Sequence, residues 1–223
     1  MNTCKNDEVA VLTGDIIGSS KMDPQERIAL YETFPRLSAM LKECYPSDVS
    51  YRISNFRGDG WQLIVDHTGK SLEIGLFIRT YIRFMFKKRR LDTRIAIGVG
   101  AVNFIPADNV SAGDGAAYTV SGRLLETLST SRMGIGFTSE SDSLVKSGAM
   151  ITVELIDHIV TFWGAGQCQA VFWALQGYNQ KEIAERWLPQ PIKQPSVSTS
   201  LANSGWTRVR DSLAFFEKAL GNL

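Results

Sequence analysis

Hydrophobic positions follow two patterns in succession along the chain. Up to about residue 150, short runs rich in β-branched and aromatic residues alternate with longer stretches whose apolar residues recur at intervals of three and four. The short runs predict strands at EVAVLTGD (8–15), YRISNF (51–56), WQLIVD (61–66), RIAIGVGAV (94–102) and MGIGFTS (133–139). The longer stretches predict helices over about 24–45, 70–89 and 118–129. Pro24 fits a first helical turn, where its missing N–H costs nothing, whereas Pro35 is expected to kink or split the first helix. RGDG (57–60) marks a hairpin, because Asp-Gly tolerates the positive φ of a tight turn. Beyond residue 150 the strand pattern fades. Helices are predicted at 151–163, 166–176, 179–187, 195–205 and 206–220, with Gly177 and Gly205 at capping positions. The chain thus divides into an α/β unit, 1–148, and a smaller helical unit, 149–223.

Composition narrows the class. The chain has 223 residues, 24 Lys+Arg against 23 Asp+Glu and 44% hydrophobic residues, enough apolar content for a packed core. A net charge of +1 argues against holding nucleic acid by bulk electrostatics. No apolar stretch approaches the roughly 20 residues of a membrane span, and the N-terminal pattern is not that of a signal peptide. Cys4, Cys44 and Cys168 are widely spaced, which excludes a disulfide framework and a cysteine zinc site and suits the cytoplasm. His67 and His158 lack metal-ligand spacing.

The order β-α-β-β-α-β predicts a ferredoxin-like α+β fold. In it the first strand lies between the third and fourth and runs antiparallel to the third. The end of strand one, Asp15 in LTGDIIGSS, then meets the start of strand three, where Asp59 sits in FRGDGWQ. Two carboxylates at one sheet edge repel unless a cation lies between them, and Mg²⁺ commonly takes one or two protein carboxylates plus substrate phosphates. The Ile16 carbonyl is a further candidate ligand; Gly14, Gly18, Gly58 and Gly60 leave room for phosphates, and Ser19 and Ser20 offer donors. The plainer alternative is that Asp59-Gly60 is only a turn and Asp15 only a loop cap. Further on, AGDGAAYTVSGRLLE (112–126) runs into a helix with Thr119 and Arg123 one turn apart, a pair suited to a polyphosphate. Otherwise Arg123 simply pairs with Glu126 on a surface helix.

These elements resemble the class III nucleotidyl (adenylate/guanylate) cyclase catalytic domain, and more closely the SatD-like bacterial proteins. The resemblance spans about residues 7–140, with a SatD-like helical tail over most of the rest. Asp15-Ile16-Ile17-Gly18 matches the family's first metal motif, and Gly58-Asp59-Gly60 matches the second. Arg94-Ile95-Ala96-Ile97-Gly98-Val99-Gly100 reads like its strand-four run, and Tyr118 to Leu124 resembles its catalytic helix segment. The resemblance implies Mg²⁺ or Mn²⁺ on Asp15, Ile16 and Asp59, and a nucleoside triphosphate near Gly18, Ser19, Asn55 and Gly58. It also implies catalysis by Arg123 and Thr119, contributed across a head-to-tail homodimer. Three positions depart from the family: Thr119 replaces its catalytic asparagine, Asn55 its base-selecting lysine, and Ala112 its adenine-selecting acid. Metal and phosphate chemistry is retained on paper, while ATP selection is not.

In the tail, GYNQKEIAERW and QPSVSTSLANSGW resemble a helix-turn-helix, with Gln180–Trp187 first and Pro195–Ser204 as recognition helix. Ser196, Ser198, Thr199, Ser200 and Asn203 would reach base edges. The 188–194 linker is longer than usual, and six basic residues are matched by six acidic ones from residue 151 onward, so no electrostatic footprint appears. Trp163, Trp173, Trp187 and Trp206 read as core anchors. KKRR (87–90), with Arg79 and Arg83, reads as the solvated basic end of the second helix, or less simply as a phosphate or nucleic-acid patch. Two functions compete: a metal-dependent cyclase-like protein acting on a nucleoside triphosphate and coupled to a DNA-binding tail, or a catalytically inactive dimeric transcriptional regulator of the SatD type.

Overall fold

The computed structural model describes residues 8–56, 58–139 and 143–221. Its centre is a five-stranded mixed sheet of β1 (Val9–Ile17), β2 (Ser54–Phe56), β3 (Gly60–Val65), β4 (Asp92–Gly100) and β7 (Met133–Phe137), in the order β2-β3-β1-β4-β7. The first four strands are antiparallel in the ferredoxin-like order, and β7 adds in parallel to β4. A small ribbon of β5 (Val102–Phe104) and β6 (Asp114–Gly115) lies beside it, formed by segments too short to stand out as strands in the sequence.

Two helices, α1 (Pro24–Cys44) and α2 (Ser71–Met85), pack on one face of the sheet, and α3 (Ala116–Thr127) packs on the other. Alternation along β1 explains the two layers: Ala10, Leu12 and Ile16 enter the large core, while Val9 and Val11 enter a smaller one with Ile64, Val110 and Ala117. The α1 helix starts on a reciprocal cap, Asp23 accepting from the Glu26 N–H and Glu26 from the Asp23 N–H. Pro35 does not split α1, which runs unbroken for 21 residues. Apolar anchors on both sides of Pro35, Phe34 and Leu37, are fully buried and hold the helix against the sheet.

The strand predicted at 51–56 is shorter, because only Ser54–Phe56 pair with β3. The RGDG hairpin stands: Phe56 pairs with Gly60 across a turn whose Gly58 has φ +86°, while Arg57 lies outside the described residues. At Gly98 the constraint is contact instead. A Cβ there would lie 2.3 Å from the Ala117 carbonyl oxygen, because α3 rests directly on β4. Gly98→Ala is therefore expected to lose about 1–3 kcal/mol in urea unfolding, the ordinary cost of overpacking.

The remaining helices are α4 (Leu144–Thr161), α5 (Ala165–Leu175), α6 (Gln180–Glu185), α7 (Gln194–Asn203) and α8 (Trp206–Leu220). The sequence boundary at 148 falls inside α4, whose start at 144 is fixed by Ser143 capping the Lys146 N–H. Ala149, Val153, Ile156 and Val160 of α4 and Phe172 of α5 belong to the same hydrophobic cluster as the sheet and α2. Phe172 contacts Phe77, Tyr81 and Phe84 of α2. Trp163 is buried with its N–H on the Ser204 carbonyl, and Trp173, Trp187 and Trp206 pack against the cluster as the sequence suggests.

Arg79 corrects the sequence reading. It is no part of a solvated basic end but is wholly buried, donating to both oxygens of Asp92, to Asp157 and to Thr161. Burial by itself would lower its pKa; Asp92 and Asp157 more than compensate and raise it above the ordinary arginine value. Arg83 is likewise taken up, donating to the carbonyls of Val160, Thr161 and Trp163. The KKRR run lies beyond α2, in the turn 86–90.

Candidate functional site

The register of β1 builds the site. Asp15 stands opposite Gly60 of β3 on one side and Arg94 of β4 on the other. Asp59 immediately precedes Gly60, and its carbonyl accepts the Ile16 N–H at 3.2 Å. The end of β1 and the start of β3 thus carry their acids at neighbouring positions, as the topology requires. Asp15 faces the α3 side, in line with Thr13, which joins Gln62 and the α3 residue Ser121 in a buried polar ladder.

Asp15 does not act as a simple loop cap. Arg94 grips it with two parallel N–H donors, one at 2.9 Å from Nε, while a third arginine donor reaches the Leu128 carbonyl at 2.7 Å. Asp59 accepts a short hydrogen bond from the Ser19 hydroxyl. The hydrogen bonds to Asp15, together with the nearby charges of Asp15 and Asp59, outweigh partial desolvation and raise the Arg94 pKa above the usual arginine value. Arg94 therefore feels both carboxylates. Sequence reading placed it in a motif but gave it no role; its signal was an arginine opposite an acid in antiparallel register.

A cavity of about 270 Å³ opens beside Asp59, lined by Ser19, Ser20, Arg27, Tyr31 and Gly58 among others. Arg27 and Tyr31, one turn apart on α1, were not singled out by the sequence. Gly18 begins the short 3₁₀ turn 19–21 that presents the two serines. Ile16, Gly18, Ser19, Gly58 and Asp59 are thus gathered at one end of the sheet. Asn55 lies on β2 opposite Trp61, and its Nδ2 is buried without a hydrogen-bond partner among the described residues.

Among the described residues Thr119 and Arg123 form no hydrogen bond or ion pair with Asp15 or Asp59. Both are exposed on the outer face of α3, whose inner residues Ala117 and Ser121 rest on the sheet. Thr119 donates back to the Gly115 carbonyl. Arg123 makes no ion pair among the described residues, so the pairing with Glu126 is not formed. Ala112 ends the 3₁₀ turn 110–112.

The donor set fits a hard divalent cation in one respect: two acids stand at neighbouring backbone positions of one strand end, and Mg²⁺ takes one or two protein carboxylates when phosphates supply the rest. Both oxygens of Asp15 are held by Arg94 and Asp59 accepts from Ser19, so an ion would have to displace these partners. Among the described residues no group of three or more His, Cys, Asp or Glu side chains converges, so such an ion would rest on two acids.

In the tail, α6 and α7 pack together across an eight-residue connection, 186–193. Val197, Leu201 and Ser204 turn inward; Ser196, Thr199 and Asn203 are exposed along one face of α7, with Ser198 and Ser200 half-buried. Among the described residues no helix is long and apolar enough to cross a membrane.

Two solved cyclases are similar to this chain. One is the guanylyl cyclase Cya2, at 16% identity over 58% of this chain and 74% of that one, with a TM-score of 0.45. The other is the adenylyl cyclase CyaB from P. aeruginosa, at 13% identity over 53% and 71%, with a TM-score of 0.35. At such scores the likeness is loose and carries no weight for the site. No family model matches the chain, and no curated protein does.

Proposed function

We propose that the sheet domain is a nucleotidyl-cyclase-like module that binds a nucleoside triphosphate with Mg²⁺ or Mn²⁺ at Asp15, Ile16 and Asp59. What supports this reading is the neighbouring backbone placement of Asp15 and Asp59 at one strand end, in the order and motif context of the cyclase resemblance. A divalent ion there would activate the ribose 3′-hydroxyl and steady the leaving pyrophosphate. Gly18, Ser19 and Gly58 offer backbone and hydroxyl groups to phosphates, and Asn55, two residues before the turn, holds a donor without a partner among the described residues. Thr119 and Arg123, exposed and not bonded to their own acids, suit a head-to-tail homodimer in which each α3 serves the partner's triphosphate. Because Thr119, Asn55 and Ala112 depart from the family, the reading names no base.

For the tail we propose a DNA-contacting role for the α6–α7 pair, resting on the exposed row Ser196, Thr199 and Asn203, with Ser198 beside it. The second reading, an inactive dimeric regulator, keeps the nucleotide as a signal and drops turnover.

The test is incubation with each of the four nucleoside triphosphates and Mg²⁺ or Mn²⁺, followed by assay of pyrophosphate and cyclic product. The cyclase reading expects one nucleotide to yield both products, and expects Asp59→Ala to abolish them. Absence of product with all four nucleotides favours the regulator.

A further inference from the structure

Helix α4 is apolar on two opposite faces. Ala149, Val153, Ile156 and Val160 point into the core. On the outer side Leu144, Ile151, Leu155 and Phe162 are 90%, 56%, 59% and 74% exposed, flanked by exposed Val145, Met150 and Ile159 and by Phe215 of α8. A helix hydrophobic all round belongs in an interior, and monomers rarely leave so many large apolar side chains together in water.

We infer that this outer face of α4 is a dimer interface that docks, antiparallel, on α4 of a second copy of this chain. Two observations select a second copy over another occupant. The first is spacing. Counted from Val153, the stripe reads the same in both directions: Leu144 and Phe162 lie nine residues either side, Gly148 and His158 five, and Ile151 and Leu155 two. An isologous interface needs that self-complementarity: Leu144 packs on the partner copy's Phe162-equivalent position, Ile151 on its Leu155 position, and the bulk of His158 over the gap at Gly148.

The second observation is area. Taking about 200 Å² for a whole large apolar residue, the exposed parts of these eight side chains come to roughly 900 Å² per chain. A standard interface buries about 800 Å² per partner. Among the described residues of α4 this face holds one carboxylate, Glu154, one residue from the dyad level, and one imidazole, His158, packed edge-on against Phe162.

This interface is independent of the nucleotide reading. The inner residues of α4 join the core on the α1–α2 side of the sheet, whereas Thr119 and Arg123 stand on α3 over the opposite side. A dimer built through α3 and one built through α4 therefore respond to different substitutions.

Sedimentation equilibrium of the full chain, repeated with Ile151→Lys/Leu155→Lys, tests the inference. Both positions are exposed, and circular dichroism checks that the variant keeps its helices. The expected result is self-association in the wild type that the two lysines weaken by about 100-fold or more. A wild type that stays monomeric at about 100 μM, or self-association as tight in the variant as in the wild type, overturns the inference. Glu154→Cys fixes the geometry: the dyad should bring the two introduced thiols into reach of a short bis-maleimide. A dimer that gives no more cross-linking than the parent protein overturns the antiparallel pairing.

Discussion

Arg79→Leu is expected to lower stability by about 3–5 kcal/mol in urea unfolding, the cost of leaving buried charge without its partner. The guanidinium ties α2 to the start of β4 through Asp92 and to α4 through Asp157. Asp157 also accepts the Arg132 N–H at the entry to β7, so the buried arginine and its partner link four elements, α2, β4, α4 and β7. Leucine would fill part of the volume but leave the nearly inaccessible Asp157 without a counter-charge, while Asp92 keeps only Arg83 at 3.7 Å. A second substitution separates charge from packing. Arg79→Leu combined with Asp157→Asn removes the most buried negative charge and should recover part of the loss; strict additivity of the two single changes would show that the residues do not act together. A small effect of Arg79→Leu alone would mean that water reaches Asp92 and Asp157 freely.

Asp15→Asn is expected to reduce Mn²⁺ affinity in the presence of a triphosphate by at least about 100-fold, since even outer-shell changes at metal sites cost 10–100-fold. The substitution preserves shape but halves the acceptor capacity offered to Arg94 and removes one of the two negative charges at the strand end. Side-chain exposures of 25% for Asp15 and 31% for Arg94 make the direct stability cost of losing this pair small, because solvent screens it. A large loss of metal affinity with little change in unfolding midpoint is the expected pattern. Equal loss of both would make Asp15 a structural partner of Arg94 and nothing more.

The sheet was legible because its strands are marked twice, by alternation and by the turns between them. Asp15 and Asp59 were placed side by side by topology alone, since β1 can adopt that register only if its end meets the start of β3. What remained hidden depended on contacts across long separations. An arginine inside an amphipathic helix reads as surface, and nothing local to Arg79 announces that Asp92 and Asp157 will converge on it. The double apolar character of α4 was missed because its first turn lies ahead of the stretch read as helical, at 144 against 151. Without that turn the outer stripe loses its end and the symmetry about Val153 cannot be seen. Arg94 was matched as part of a whole strand run, and its pairing with Asp15 shows only in the antiparallel register. The outward placement of Thr119 and Arg123 was a question of helix phase, set by Ala117 and Ser121 taking the inward positions.

The most direct test of the central claim is a Mn²⁺ titration followed by electron paramagnetic resonance, with a non-hydrolysable triphosphate, on the wild type and on Asp15→Asn and Asp59→Asn. The account predicts a protein-bound Mn²⁺ signal in the wild type that both substitutions abolish, since each removes one of the two acids at the shared strand end. Binding in either variant that equals the wild type would contradict it.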